Sequence, residues 1–324
     1  MHSTDGNLAL AVDIGGTKFA AAIVDSAGEV VVTHRVSTPR STDPDEVFAA
    51  LGQAVDGTLA KAGLSIGSTA LRSAIGVGTA APLDLELGTV SPVNIPGWRS
   101  FPLRDRLSQR YEVPVGMIGD AVAVAVGEHW KGAARGHRNV LGMVVSTGVG
   151  GGLIIDGRAV TGATGNAGHI GHISVDAAGP ACVCGGIGCL EAISSGPKLT
   201  AWAVAQGFDG GDGTALSVAT AANGGDEIAL AAFHRAGEAL GLAIAGAVTL
   251  LDLDLVVIGG GVAQAGELLF RPLAAAYSRY AALGFAAKPR VVPAALGGTA
   301  GLIGAAAVVL APDAYWPADP AAQR

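Results

Sequence analysis

Residues 8–36 read LALAVDIGGTKFAAAIVDSAGEVVVTHRV, and this pattern predicts two consecutive β-hairpins. Three apolar runs, Leu8–Val12, Phe19–Val24 and Glu29–Val36, have the length and composition of strands. The first two runs are joined by Asp-Ile-Gly-Gly-Thr-Lys, and the last two by Asp-Ser-Ala-Gly. Glycines that follow an apolar strand in this way are typical of turns where the backbone approaches a ligand closely.

The same plan returns in residues 139–160, which read NVLGMVVSTGVGGGLIIDGRAV. We predict a strand over 139–146, a glycine turn over 147–152, and short strands over 153–155 and 158–160. Strand, glycine turn, strand, Asp/Gly turn and strand therefore occur twice. Two halves built on one plan would bring their glycine turns face to face across a cleft, where a polyphosphate could be held from both sides.

Outside these repeats, strands alternate with helices, which is typical of an α/β protein. We expect a small N-terminal α/β domain over residues 1–120, completed by a C-terminal helix at about 299–312. A large α/β domain is expected over residues 121–298. The Pro/Ala-rich residues 313–324 are expected to form a flexible tail.

Composition limits the classes of function. The 324 residues suffice for two domains, and with half of them apolar a large core can form. A net charge of −7 argues against nucleic acid as a partner. We see neither a signal peptide nor a membrane-spanning segment, and the cysteine usage fits a reducing compartment. We therefore expect a cytoplasmic protein without a membrane partner.

All three cysteines lie in residues 161–191, together with a nearby histidine. The ligands His172, Cys182, Cys184 and Cys189 would make a closed tetrahedral Cys₃His zinc site, with no cysteine left over. Four protein ligands favour a structural role for the ion. The alternative is a set of buried or partly oxidised thiols.

Polar side chains surround this cysteine cluster. Asn166 and His169 precede it and Glu191 follows it, so a bound metal ion would hold them rigidly as a recognition surface for a polar small molecule. His169 and His172 are three residues apart and are either metal ligands or polar binding residues.

The two glycine turns are candidate phosphate sites. In the first, Gly15 and Gly16 would present backbone N–H groups, Thr17 would add a hydroxyl, and Asp13 could hold Mg²⁺. The second turn supplies Thr147, Gly148 and Gly150. The alternative for the first turn is a plain hairpin with a capping aspartate.

Asp120 ends a predicted strand just before a predicted helix. A carboxylate there could take the proton from a hydroxyl group that attacks a phosphoryl group. The alternative is an N-cap for a helix that starts at Ala121, and the two roles are compatible.

Taken together, these segments resemble the motifs of the ROK sugar kinases, in the family's order over about residues 8–310. The segments are Asp13–Lys18, Asp120, Ser146–Gly152, Gly171–His172 and Cys182–Glu191. The resemblance implies an actin-like, ribonuclease H-like ATPase fold of two domains with a cleft between them. It also implies ATP, Mg²⁺, and transfer of the γ-phosphoryl group to the 6-hydroxyl of a hexose or N-acetylhexosamine.

The resemblance also assigns roles to residues. It implies that Asp120 is the general base and that Asn94, His172 and Glu191 contact the sugar. It places Lys18 in the phosphate motif and a third glycine turn, Gly259, Gly260 and Gly261, near the adenosine. Members of the family are commonly dimers or tetramers, so a homodimer or homotetramer is expected.

Two positions depart from the family pattern. Gly119 stands where an asparagine usually precedes the catalytic aspartate, which removes one donor to the sugar. His169 stands where a glutamate is usual, and an imidazole offers a donor as well as an acceptor. The His-Ile-Gly-His form resembles bacterial N-acetylmannosamine kinases more than glucokinases, so an N-acetylhexosamine is the expected substrate, with glucose as the close rival.

A different class, the ROK-type transcriptional repressors, shares the zinc motif. These proteins carry an N-terminal helix-turn-helix, for which we expect no room before Asp13. A non-catalytic sugar sensor remains the alternative, because Gly119 makes the sugar site unusual.

Overall fold

The computed structural model describes residues 6–316 and divides them into two compact units. Unit 1 comprises residues 6–136, 152–167 and 298–316, and unit 2 comprises residues 137–151 and 168–297. The first division follows residue 136, sixteen residues beyond the expected boundary at residue 120, and the helix that starts at Asp120 belongs to unit 1.

Unit 1 is built on a five-stranded sheet with the order β3-β2-β1-β4-β7. The central strand β1 pairs antiparallel with β2 and parallel with β4, and β7 pairs parallel with β4. The strands are β1 (Leu8–Ile14), β2 (Lys18–Asp25), β3 (Val30–Ser37), β4 (Leu71–Thr79) and β7 (Val115–Gly119), and a separate small hairpin is formed by β5 (Leu83–Asp84) and β6 (Thr89–Val90).

The helices of unit 1 start and stop where their sequence signals lie. In α1 (Pro44–Ala62), Asp43 accepts a capping hydrogen bond from the N–H of Asp45, and Gly63 ends the helix in the left-handed conformation. The other helices are α2 (Leu103–Tyr111), α3 (Asp120–Lys131), α9 (Ala300–Leu310) and α10 (Pro312–Tyr315). Helix α9 packs on β1, β4 and α3, so it lies behind the strands that carry the candidate site.

A second five-stranded sheet has the order β10-β9-β8-β11-β12. Its strands are β8 (Val140–Val145), β9 (Val149–Ile155), β10 (Arg158–Val160), β11 (Leu255–Gly259) and β12 (Arg290–Pro293). Strands β8, β9 and β10 occupy the same places in this order as β1, β2 and β3 in the first sheet, and β11 pairs parallel with β8 as β4 does with β1. The predicted duplication of one plan is therefore present in the two sheets.

The helices of unit 2 are grouped around α7, which is the longest helix in the described part of the chain. They are α4 (Leu190–Ser194), α5 (Gly196–Ala205), α6 (Ala215–Asn223), α7 (Glu227–Leu251) and α8 (Glu267–Tyr280). Helices α4, α5, α6 and α8 all pack on α7. By length and composition α7 could cross a membrane, but 61% of its most apolar window is buried, as expected of a core helix.

Two predicted segments differ in the structure. The glycine run after Ser146 is not a six-residue turn, because β9 already begins at Val149 and includes Gly150. Residues 313–316 are not a free tail: Asp313, Ala314 and Tyr315 belong to α10, and Tyr315 is buried, while residues 317–324 lie outside the described part of the chain.

Candidate active site

Asp13 and Asp120 lie at one edge of the first sheet. Asp13 is near the end of β1, and Asp120 directly follows β7; both strands run parallel to β4, so their carboxyl ends share that edge. Burial, and to a smaller extent the negative charge of Asp13, raise the pKa of Asp120 to about 7. Burial likewise raises the pKa of Asp13 to about 6, against the opposing charges of Lys18 and Arg35. Both carboxyl groups can therefore exchange a proton near neutral pH.

Asp120 is not an N-cap. The helix begins at Asp120 itself, and Gly119 occupies the N-cap position. The N–H of Ala121 donates to Oδ1 of Asp120 over 2.7 Å, which fixes the carboxylate at the start of α3. The N-cap alternative is therefore wrong, and this N–H bond stabilises the ionised form against the effect of burial.

The first glycine turn is closed by the backbone of β2. The N–H of Gly15 donates to the carbonyl of Lys18 over 3.1 Å, and the hydroxyl of Thr38 donates to the carbonyl of Gly15 over 2.8 Å. Thr17 and Lys18 are exposed. The two glycines of this turn have no side chains of their own between their backbone groups and a ligand.

Asn94 lies against this turn, because a Cβ atom on Gly16 would collide with the side chain of Asn94. The loop that carries Asn94 is held by Arg99, whose Nη1 donates to the carbonyls of Pro92 and Ile95, both over 2.9 Å. Trp98 anchors the same loop in the core. It stacks between Phe19, at 5.8 Å, and Phe101, at 4.6 Å between ring centroids.

Two further residues, Arg99 and Gly301, help to build the site although no motif described above includes them. Arg99 bonds backbone carbonyls, which no residue pattern announces. A Cβ on Gly301 would lie 3.4 Å from the carboxyl group of Asp13, so the first turn of α9 borders the site. The Gly-Gly-Thr-Ala-Gly run at residues 297–301 was the available signal for that contact.

In unit 2, two of the predicted nucleotide turns are neighbours at the ends of the parallel strands β8 and β11. The N–H of Ser146 donates to the carbonyl of Gly148 over 2.8 Å, which forms a tight turn with the exposed Thr147 at its tip. Gly260, with φ of +97°, packs on the backbone of Val145, where a Cβ atom would clash. The glycine turn Gly259–Gly261 thus adjoins the Ser146–Gly148 turn.

The four predicted metal ligands are brought together. One ligand atom from each of His172, Cys182, Cys184 and Cys189 lies within 4.8 Å of all the others. The Sγ atoms of Cys184 and Cys189 are 3.6 Å apart, and Sγ of Cys182 is 3.8 Å from Nδ1 of His172. A tetrahedral zinc ion with bonds of about 2.3 Å holds its sulfur ligands about 3.8 Å apart, so the cluster has the size and donor set for zinc.

The local backbone accounts for this convergence. Gly185 and Gly188 take positive φ, and a Cβ on Gly188 would collide with the carbonyl of Asp176. The N–H of Gly186 lowers the pKa of the Cys184 thiol, whereas burial raises the pKa of Cys189 to about 12. A bound cation would offset the cost of ionising the buried thiol.

The polar residues around the cluster have different surroundings. His169 is exposed and its ring lies 6.2 Å from that of His172, but of these two histidines only His172 belongs to the cluster of candidate metal ligands. Glu191 accepts a hydrogen bond from the N–H of Val149 over 2.9 Å. Asn166 belongs to unit 1, where its amide pairs with the N–H and the carbonyl of Leu83.

Comparison with known proteins identifies the family. A model described as "ROK family" matches residues 9–312. The chain belongs to the ROK family. A glucokinase from Streptomyces coelicolor is 34% identical to this ROK protein over 322 residues, covering 94% of this chain and 98% of the relative. An N-acetylmannosamine kinase from Escherichia fergusonii is 36% identical over 257 residues, covering 79% and 84%.

A solved structure agrees with this ROK assignment. The ROK family glucokinase from Streptomyces griseus, determined in complex with glucose and AMPPNP, is 34% identical and superposes with a TM-score of 0.79 over 93% of this chain and 99% of that chain. The expected family and the actin-like α/β ATPase fold are thereby confirmed. Glucokinases and an N-acetylmannosamine kinase both occur among the relatives, so the family membership does not select one sugar.

Proposed function

We propose that this protein is an ATP- and Mg²⁺-dependent sugar kinase in which Asp120 is the general base. The main support for this proposal is the carboxyl group of Asp120. It is fixed at the start of α3, and burial and the charge of Asp13 raise its pKa to about 7. A base whose pKa is near the working pH combines a populated ionised form with useful basicity. The relatives named glucokinase and N-acetylmannosamine kinase support the same reaction class.

In the proposed reaction, Asp120 takes the proton from the 6-hydroxyl of the sugar as that oxygen attacks the γ-phosphorus of ATP. The new O–P bond forms as the bond to the β-phosphate oxygen breaks, and ADP leaves with that electron pair. The proton remains on Asp120 until it is lost to solvent. Because the transition state of phosphoryl transfer is loose and metaphosphate-like, accurate positioning of the two substrates supplies most of the rate acceleration.

The nucleotide would be bound by the glycine turns. We assign the phosphates to Gly15, Gly16, Thr17 and Lys18 in unit 1 and to Thr147, Gly148 and Gly150 in unit 2, and the adenosine to Gly259–Gly261. Asp13 would hold Mg²⁺ directly or through water, and the ion would offset charge on the transferred phosphoryl group. Two desolvated carboxyl groups, Asp13 and Asp120, at one sheet edge suit a divalent cation.

The sugar would be bound by Asn94, His169, His172 and Glu191. We assign a structural zinc ion to the Cys₃His cluster, where it would fix the loop that carries His172 and Glu191. His172 can bind metal through Nδ1, which lies 3.8 Å from Sγ of Cys182, and keep its other ring nitrogen for a sugar hydroxyl. A homodimer or homotetramer, and a cytoplasmic location, stay predictions.

Our first choice of substrate is N-acetylmannosamine, and glucose is the alternative. His169 favours the first choice, because an exposed imidazole can donate a hydrogen bond as well as accept one. The glucokinase relative that matches 94% of this chain favours the alternative. Both sugars would use the same base and the same nucleotide turns.

A coupled ADP-release assay with Mg·ATP tests the proposal against glucose, mannose, glucosamine, N-acetylglucosamine and N-acetylmannosamine. We expect one sugar to be clearly preferred and the Asp120→Asn variant to lose about 10²-fold or more in kcat while still binding that sugar. Near-normal turnover by Asp120→Asn would refute the base assignment. No turnover with any sugar, together with sugar-dependent thermal stabilisation, would indicate a non-catalytic sensor instead.

A further inference from the structure

The proposed phosphate turn of unit 2, residues 146–150, contacts the segment that carries the four candidate metal ligands and the residues next to it. The carbonyl of Ser146 accepts a hydrogen bond from the N–H of Gly196 over 2.8 Å. Gly171 packs on the carbonyl of Val149, where a Cβ atom would clash. The third attachment is Glu191, two residues after the cluster ligand Cys189.

The Glu191 contact is the closest of these to the tip of the turn. Its Oε2 accepts the N–H of Val149 over 2.9 Å, and the same oxygen would lie 2.7 Å from a Cβ atom on Gly148. The carboxylate thus fills the space that a side chain at position 148 would need. Position 148 must be glycine for Glu191 to keep this place.

We propose that Glu191 is a positioning residue for the nucleotide-binding turn, in addition to its proposed contact with the sugar. This inference rests on the proposed function, because it takes the turn as a phosphate site. The N–H groups of Ser146 and Val149 are used inside the protein. Glu191 therefore fixes the turn in the conformation in which Thr147 and Gly148 can present their N–H groups to a phosphate.

Charge and positioning predict opposite effects at this residue. The negative charge of Glu191 opposes the binding of a phosphate nearby, so if charge alone mattered, every neutral replacement would tighten nucleotide binding. If Glu191 positions the turn, only a replacement that keeps the hydrogen bond to Val149 can preserve binding. Glutamine keeps an acceptor oxygen at the same distance along the side chain, whereas alanine keeps none.

The test measures binding of Mg·ADP by isothermal titration calorimetry without sugar, so that the sugar contact of Glu191 does not contribute. We expect Glu191→Ala to raise the Kd about tenfold or more, because a hydrogen bond to a charged group is lost. Glu191→Gln should stay within about threefold of the parent protein. With saturating sugar, Glu191→Ala should raise the KM for ATP by a larger factor than it lowers kcat.

Gly148→Ala provides a second variant that approaches the same contact from the turn. The added methyl group should displace the carboxylate and weaken Mg·ADP binding, and it should add little in the Glu191→Ala background because the contact is already lost. Asp209→Ala, which removes an exposed acid elsewhere in unit 2, is the matched control and should bind Mg·ADP normally. Thermal unfolding checks that each variant is folded.

The outcomes separate this inference from the proposed function. If the parent protein does not bind Mg·ADP, the proposed function fails at its nucleotide step. If the parent protein binds Mg·ADP and Glu191→Ala binds it equally well or more tightly, the positioning role of Glu191 is overturned while the kinase proposal stands.

Discussion

The negative charge of Asp13 raises the pKa of Asp120 inside unit 1. Asp13 lies in β1 and Asp120 directly follows β7. These two strands are not adjacent in the sheet, but both run parallel to β4, so the two carboxyl groups reach the same edge. Burial raises the pKa of both groups, and the charge of Asp13 adds to this effect at Asp120. The result is a pair of acids that titrate near neutral pH, far above the usual range of aspartate.

This coupling predicts the acid limb of the pH profile. Asp120 acts as a base only when ionised, so kcat/KM should rise with pH through about 7 and then level off. Asp13→Asn removes the repelling charge, so the limb should move to lower pH even though the maximal rate falls. The profile of kcat/KM between pH 5 and 9 measures this shift.

Asp45→Asn is the control for the Asp13 variant, because Asp45 is an exposed acid on α1 of the same unit. Its limb should coincide with that of the parent protein. A limb that stays in place in Asp13→Asn would show that the two carboxyl groups are not coupled in the functioning protein.

Asp120→Asn should also make the protein more stable at alkaline pH. The folded-state pKa of about 7 exceeds the ordinary value of 3.8, so ionisation of Asp120 costs the folded state free energy. Its stabilising contribution is complete below pH 4 and is lost as the pH rises through 7. We expect the variant to gain about 4 kcal/mol in free energy of unfolding at pH 8 and almost nothing at pH 3.5, as measured by urea unfolding. An equal gain at both pH values would contradict the ionisation argument.

Metal removal should act on the cluster of His172, Cys182, Cys184 and Cys189. Purified protein is expected to hold about one zinc ion per chain, and Cys184→Ser should lose most of it, because a closed Cys₃His site requires all four ligands. Inductively coupled plasma mass spectrometry measures the zinc content of each protein. Through Glu191, loss of the ion should weaken Mg·ADP binding as well as sugar binding.

Val183→Ser is the matched control for the zinc prediction. Val183 lies between two ligands but is 69% exposed and offers no ligand atom to the cluster. Its zinc content should be unchanged. A full zinc content in Cys184→Ser would mean that Cys184 is not a ligand.

Gly119→Asn tests the unusual residue before the base. A Cβ atom there would meet only ordinary contacts, 3.7 Å from Val122 and 3.8 Å from Leu83, and asparagine is a good N-cap. The variant should fold and should gain an amide donor beside Asp120, so we expect a severalfold lower KM for the preferred sugar. Gly119→Ala, which adds the Cβ without the amide, separates this effect from packing. Equal KM values for both variants would exclude a sugar contact at this position.

Arg99→Met tests the loop that carries Asn94. The variant keeps most of the aliphatic volume but loses the hydrogen bonds to the carbonyls of Pro92 and Ile95. The sugar KM should rise about tenfold with a smaller change in the KM for ATP, because Asn94 would no longer be held against Gly16. Saturation curves measured separately for the sugar and for ATP give the two KM values to be compared. If both KM values rose equally, the loop would not act specifically on the sugar.

Local patterns in the sequence were enough for most secondary structure and for the family. Strand β10 has the predicted bounds, because a hairpin turn and the strand that follows it depend on neighbouring residues. The glycine run after Ser146 was misassigned, because strand pairing overrides the turn preference of Gly150 and its neighbours. The tail was misassigned at Tyr315, which is buried through a packing contact that no local pattern predicts.

The sequence by itself determined the duplicated strand plan, the four metal-type ligands and the identity of Asp120 as an acid at the end of a strand, because each is a local arrangement of residue types. Only the tertiary structure decided that Asp13 raises the pKa of Asp120 and that Arg99 holds the loop of Asn94. It also decided that Glu191 accepts a hydrogen bond from the N–H of Val149. These relationships join residues that are distant in the chain. Their strength depends on burial and hydrogen-bond geometry, which exist only after the strands and loops have packed.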